Sequence, residues 1–143
     1  MTRKVINIFL LSLALSFSAC IDEKSEDLLT AEDESASANE CGSGRICFWD
    51  DNGFSDTFKY RTVSLADFNN INFGDKATSV LNRMTVAWLL YDDAGYSDTC
   101  VCVMAGASVA NLGNFGFNDK TSSAWKLAGN TCPSGVLAFD GVN

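Results

Sequence analysis

The sequence predicts an all-β sandwich built on an internal duplication, and three observations support that prediction. Trp49-Asp-Asp-Asn-Gly-Phe-Ser-Asp-Thr57 recurs forty-two residues later as Tyr91-Asp-Asp-Ala-Gly-Tyr-Ser-Asp-Thr99. Phe73-Gly-Asp-Lys-Ala-Thr-Ser79 recurs forty-four residues later as Phe117-Asn-Asp-Lys-Thr-Ser-Ser123. Two paired stretches in the same order, at nearly the same offset, mark units of roughly forty residues. Between them lie short β-branched and aromatic runs separated by Gly, Asn, Asp and Ser, with no long amphipathic helix.

The first twenty residues stand apart from that domain. Arg3 and Lys4 precede the apolar run VINIFLLSLALSF and then Ser18-Ala19-Cys20, the pattern of an export signal. It is too short to remain as a membrane span. Phe17-Ser18-Ala19-Cys20 resembles a bacterial lipobox, which implies lipidation at Cys20 and a cell-envelope lipoprotein held to the membrane only by its lipid. Ordinary cleavage beside small residues, giving a secreted protein, is the alternative.

Residues 21–40 carry eight acidic residues against one lysine, with no aromatic residue. Such a stretch cannot bury enough apolar surface to offset its ordering entropy, so it is expected to be a disordered linker. It accounts for most of the net charge of −8, because residues 41–143 hold ten Asp and seven Lys or Arg, a balance of −3. The acidity belongs to the tether, and nucleic acid is excluded as a partner. The folded domain is expected over residues 41–130, with repeats near 46–84 and 87–127, followed by a tail over 131–143.

The chain contains no histidine. That removes Ser-His-Asp and Cys-His catalysis, the usual zinc ligand and the commonest general base. The acidic pairs Asp50-Asp51 and Asp92-Asp93 fall at equivalent repeat positions, which explains them as hairpin structure rather than a glycosidase pair. The expectation is a non-enzymatic protein.

Within each unit, RICFWDD and VAWLLYDD read as strands ending in turn residues. TFKYRTV alternates, and CVCVM puts Cys100 and Cys102 on one face with Val101 and Val103 on the other. LADF and ANLGNF each suit a helical turn just before the polar motif.

These motifs carry a resemblance. Aromatic-x-acidic-x-x-Gly-aromatic, followed some twenty residues later by Asn/Asp-Asp-x-x-Ser/Thr-Ser, is similar to the Greek-key signature of βγ-crystallin domains over about residues 46–127. The resemblance implies two Greek-key units packed as a pseudo-twofold sandwich of two four-stranded sheets. Asp56 and Asp98 stand where the family usually has glycine at a positive φ, a conformation aspartate tolerates better than most residues.

The same resemblance assigns a cation site to the polar motifs. Calcium takes six to eight hard oxygens, more than one six-residue loop supplies, so two loops meeting across the pseudo-twofold would share the task. By resemblance, Asn118, Asp119, the Lys120 carbonyl and the Ser122 hydroxyl serve one loop. Asp75, the Lys76 carbonyl and the Thr78 hydroxyl serve the other, with Asp50 and Asp92 contributing from the hairpins. Gly74 replaces the first amide or carboxylate, so the first loop is expected to be the weaker. The plainer reading is that Ser79 and Ser123 satisfy local backbone groups.

Six cysteines in an exported chain point to disulfides. Cys41-Gly-Ser-Gly-Arg-Ile-Cys47 is flexible enough for a Cys41–Cys47 bridge, and Cys132 is expected to pair with Cys100 or Cys102, stapling the tail. One thiol is then left over unless Cys20 is available. The C-x5-C opening before crystallin-like repeats is similar to secreted microbial inhibitors of metalloproteinases, which implies a secreted metalloprotease as partner. Cys100-Val101-Cys102 is the candidate inhibitory segment, against ordinary sheet carrying a bridge. An extracellular structural or stress module, or a carbohydrate-binding module, is the alternative function.

Overall fold

A computed structural model describes residues 36–143. The segment expected to be an export signal, Cys20 and the acidic stretch through residue 35 lie outside the described residues.

Eight strands form two four-stranded sheets. The first unit supplies β1 (Ile46–Asp51), β2 (Ser55–Arg61) and β3 (Ser79–Asn82). The second supplies β4 (Trp88–Asp93), β5 (Ser97–Val103), β6 (Ser108–Val109) and β7 (Ser123–Lys126), and the tail adds β8 (Leu137–Phe139). One sheet runs β2-β1-β3-β6 and the other β7-β4-β5-β8. The duplication is visible in the register, since β1–β2 slips between Trp49 and Asp51 and β4–β5 slips between Tyr91 and Asp93.

Each unit lends backbone to the other's sheet. β6 pairs with β3 through Val80↔Val109. At the matching place in the first unit, Leu65 bridges Ala124 of β7 with two reciprocal 2.9 Å hydrogen bonds. That crossing is the Greek-key connection the repeat predicts. The sheets close over a core that includes Phe48, Phe68, Phe73, Trp88, Leu90 and Phe117, all fully buried. Phe48 meets Phe68 edge to face at 5.1 Å, an arrangement aromatic rings favour.

The two predicted helical turns are 3₁₀ turns, Phe68–Ile71 and Leu112–Phe115. Asp67 and Asn111 cap them, each side chain accepting from the backbone two residues on. Asp56 (φ 66°) and Asp98 (φ 63°) occupy the left-handed region, as their glycine-like positions require. Asn82, fully buried, ties the inter-repeat connection: its Nδ2 donates to the carbonyls of Val86, Val103 and Met104, and its Oδ1 accepts from Met84 N–H.

Cys41–Cys47 forms as expected, and Cys102, not Cys100, pairs with Cys132. Cys100 is also disulfide-bonded, so no described cysteine is free. Two boundaries move outward. Ala36–Glu40 forms a 3₁₀ turn at the end of the expected linker, and Ala38 is buried against Cys41, Cys47 and Trp49. The tail is more than tethered: β8 pairs in parallel with β5, Phe139 enters the core, and Asn143 O accepts from Ala110 N–H at 2.7 Å.

Candidate cation corners at the pseudo-twofold

The polar motifs sit directly before β3 and β7, and their last residue fixes the neighbouring hairpin. Ser79 Oγ, fully buried, accepts from Phe54 N–H at 3.1 Å and donates to Asp51 O at 2.7 Å. Ser123 Oγ accepts from Tyr96 N–H at 3.0 Å and donates to Asp93 O at 2.6 Å. The plainer reading is therefore right for these two hydroxyls, which bind backbone and leave no room for a ligand role.

The rest of each motif faces its counterpart. Asp75 N–H donates to Thr121 O and Asp119 N–H donates to Ala77 O, both at 3.2 Å, so the loops run together across the pseudo-twofold. Both aspartates hold positive φ, 54° and 53°. Ser122 Oγ donates to Asp75 Oδ1, and Thr78 Oγ1 donates to Asp119 Oδ1 at 3.3 Å. The sequence reading grouped each hydroxyl with the aspartate of its own loop. The structure crosses them, because the fifth residue of each motif lies over the second residue of the other. Thr78 N–H donates to Trp49 O and Ser122 N–H to Tyr91 O, which sets each hydroxyl beside its own unit's first hairpin.

The hairpin aspartates differ. Asp92 Oδ2 accepts from Lys120 Nζ at 2.7 Å, and this contact raises the Lys120 pKa above its ordinary 10.5 despite a smaller lowering by burial. That carboxylate is turned to the ammonium of its own repeat's second motif. No ion pair joins Asp50 to Lys76 among the described residues. Asn118 Nδ2 reaches Asp119 Oδ2 at 2.6 Å, so the amide of the second motif lies against its own loop carboxylate.

Chemically, each corner offers one carboxylate, one hydroxyl from the opposite loop and the carbonyls of a tightly turned backbone. No three Cys, Asp or Glu side chains gather at one point among the described residues. Thr121 Oγ1, buried between the loops, has no hydrogen-bond partner among the described residues. This donor set is all oxygen and low in charge, which fits calcium held weakly and leaves no ligand for a soft metal.

Cys100, Val101 and Cys102 are fully buried in β5, closed on one side by β4 and on the other by β8. In this position the segment is interior sheet, and Cys102 carries the bridge to Cys132. The edge position of the outer strand β2, paired among the described residues with β1 alone, was not read from the sequence. Phe58, Lys59, Tyr60, Arg61 and Ile71 bound an open groove of about 430 Å³, and the Arg45 guanidinium lies 4.2 Å from the Tyr60 ring centre. The alternation of TFKYRTV predicted this strand, but nothing in it marked the strand as a sheet edge.

Comparison with known proteins agrees with this architecture. Residues 34–103 match the model of peptidase inhibitor family I36. A βγ-crystallin from Ciona intestinalis aligns with TM-score 0.54 at 25% identity, covering 59% of this chain and 100% of that one. An archaeal βγ-crystallin aligns with TM-score 0.52 at 14% identity, covering 60% and 100%. A βγ-crystallin domain from Flavobacterium johnsoniae aligns with TM-score 0.51 at 20% identity, covering 61% and 98%. No curated protein matches the chain. Two Greek-key units with exchanged strands give this chain the βγ-crystallin fold, and over residues 34–103, about half its length, it is similar to peptidase inhibitor family I36.

Proposed function

We propose that this is an exported, non-enzymatic domain that inhibits a secreted peptidase and binds calcium between its two polar loops. The inhibitor reading rests on the match of residues 34–103 to a peptidase inhibitor family. The calcium reading rests on the crossed pairs Ser122–Asp75 and Thr78–Asp119, which bring oxygen donors of both repeats to shared corners. Bound there, calcium would neutralise the two aspartates and crosslink the loops. Asp75, Asp119, Thr78 and Ser122 would hold it with the carbonyls of Lys76 and Lys120 and with Asp50.

Inhibition requires a surface that is rigid before contact, because binding then carries little ordering cost. With Val101 closed in, the contact falls to the β2 edge, where Tyr60 and Val63 are about half exposed, at 46% and 59%. The test is a panel of secreted metallopeptidases assayed with the purified chain. Inhibition that weakens in Tyr60→Ala supports the reading, and uniform inactivity of the wild type refutes it. Calcium is tested separately, by thermal melting in chelator and in millimolar calcium. An unchanged melting temperature removes the calcium reading and leaves the inhibitor reading standing.

A further inference from the structure

The first polar loop lacks a side chain where the second has Asn118, because Gly74 stands at the equivalent position. The structure shows what fills that space. A Cβ added at Gly74 would lie 2.9 Å from Cγ and 3.2 Å from Nδ2 of Asn69, and closer still to its Oδ1. Under 3.0 Å something must shift, so in this conformation the Asn69 carboxamide occupies the volume that a residue-74 side chain would need.

The second repeat supplies the control. With the forty-four-residue offset, Asn69 corresponds to Gly113 and Gly74 to Asn118. Asn118 Cβ there lies 3.6 Å from the Cβ that Gly113 would carry, so the same two positions face each other in both units. Each unit thus holds one asparagine and one glycine across this contact, with the two residues exchanged. In the second unit the amide lies against Asp119. In the first, the amide comes from the preceding 3₁₀ turn and covers the residue next to Asp75. The Asn69 side chain has no hydrogen-bond partner among the described residues, whereas its N–H is held by Asp67. Its oxygen is therefore uncommitted.

We infer that Asn69 supplies to the first loop the amide oxygen that Gly74 lacks, so that both corners take calcium. This rests on the calcium reading above and reverses the expectation that the first loop is the weaker. Asn69 lies outside the six-residue motif, which is why the motif looks degenerate.

The test is calorimetric titration of the full chain with calcium, together with melting in chelator to check folding. Wild type is expected to bind two ions. Asn69→Leu, of similar size but without oxygen, should weaken one of the two events about tenfold or more and leave the other in place. Asn69→Asp should keep both events. The exchanged double variant Asn69→Gly/Gly74→Asn, which copies the second repeat, should restore the affinity lost in Asn69→Gly alone. Two events of unchanged affinity in Asn69→Leu would overturn the inference while leaving calcium binding intact. A single wild-type event, indifferent to Asn69, would overturn it equally. No binding by the wild type would remove the calcium reading itself. A merely space-filling Asn69 would not separate Leu from Asp.

Discussion

Ser122 donates its hydroxyl to the carboxylate of Asp75, a residue of the other repeat, and so joins two loops that are distant in sequence. A partly buried hydrogen bond to a charged acceptor contributes about 1.5–3 kcal/mol. Ser122→Ala is therefore expected to cost about 1–2 kcal/mol in chelator, read by urea unfolding. In calcium the difference should widen, because ion at ten times its dissociation constant stabilises the wild type by about 1.4 kcal/mol. Asp119→Ala should abolish part of the calcium-induced melting shift.

The buried serines predict a larger effect without calcium. Ser79→Ala strips a partner from Phe54 N–H and from Asp51 O, and Ser123→Ala does the same for Tyr96 and Asp93. Each should cost about 2–3 kcal/mol by denaturant unfolding, since orphaned groups pay their full desolvation. Asp56→Gly acts in the opposite sense. Glycine accepts the 66° φ without steric cost, and the variant should gain up to about 1 kcal/mol.

Thr121 gives a stabilising variant at the heart of the loops. Its buried Oγ1 has no partner among the described residues, and the matching residue of the first unit is Ala77. Thr121→Val keeps the shape and removes the unsatisfied hydroxyl, so stability should rise by about 1 kcal/mol on thermal and urea unfolding.

The bridges should separate by loop length. Cys102–Cys132 spans thirty residues and Cys41–Cys47 six. The chain-entropy model gives about 3–4 kcal/mol for the first and about 2–3 for the second. Replacing Cys102 and Cys132 together by Ala should cost the larger amount and expose β8 amides to hydrogen exchange.

Alkaline pH should unfold the domain early. Burial raises the Tyr91 pKa above 10.0, and the contact with Asp92 raises that of Lys120 above 10.5. Both groups hold protons in the folded state that the unfolded chain has begun to release. Stability is thus full below about pH 10 and falls as pH rises through the folded values. A melting series from pH 8 to 11.5 should show the fall, and Tyr91→Phe with Lys120→Met should flatten it.

Much of this architecture was legible because duplication writes a fold twice. The paired motifs located both hairpins, both capped turns and the meeting of the loops, and the aspartates at 56 and 98 announced their own backbone geometry. Other features depend on distances that no pattern encodes. The crossing of Thr78 to Asp119 depends on where a pseudo-twofold axis passes. Lys120 and Lys76 look alike in sequence, yet among the described residues only Lys120 reaches a hairpin carboxylate. The choice of Cys102 over Cys100 was open because both lie on the same face of β5, and alternation cannot separate them. Val101 seemed presentable because β8, far along the chain, is what closes it in.

The exchange of backbone between the units, with Leu65 crossing one way and β6 the other, has a consequence for how the domain responds to a cut. A single cut in a surface turn, at Gly53 or Gly95, severs the chain without releasing a fragment, for each piece remains threaded into its neighbour's ladder. Such a molecule would travel as two bands only under reducing, denaturing conditions, because Cys100 is also bridged, and as one body in solution.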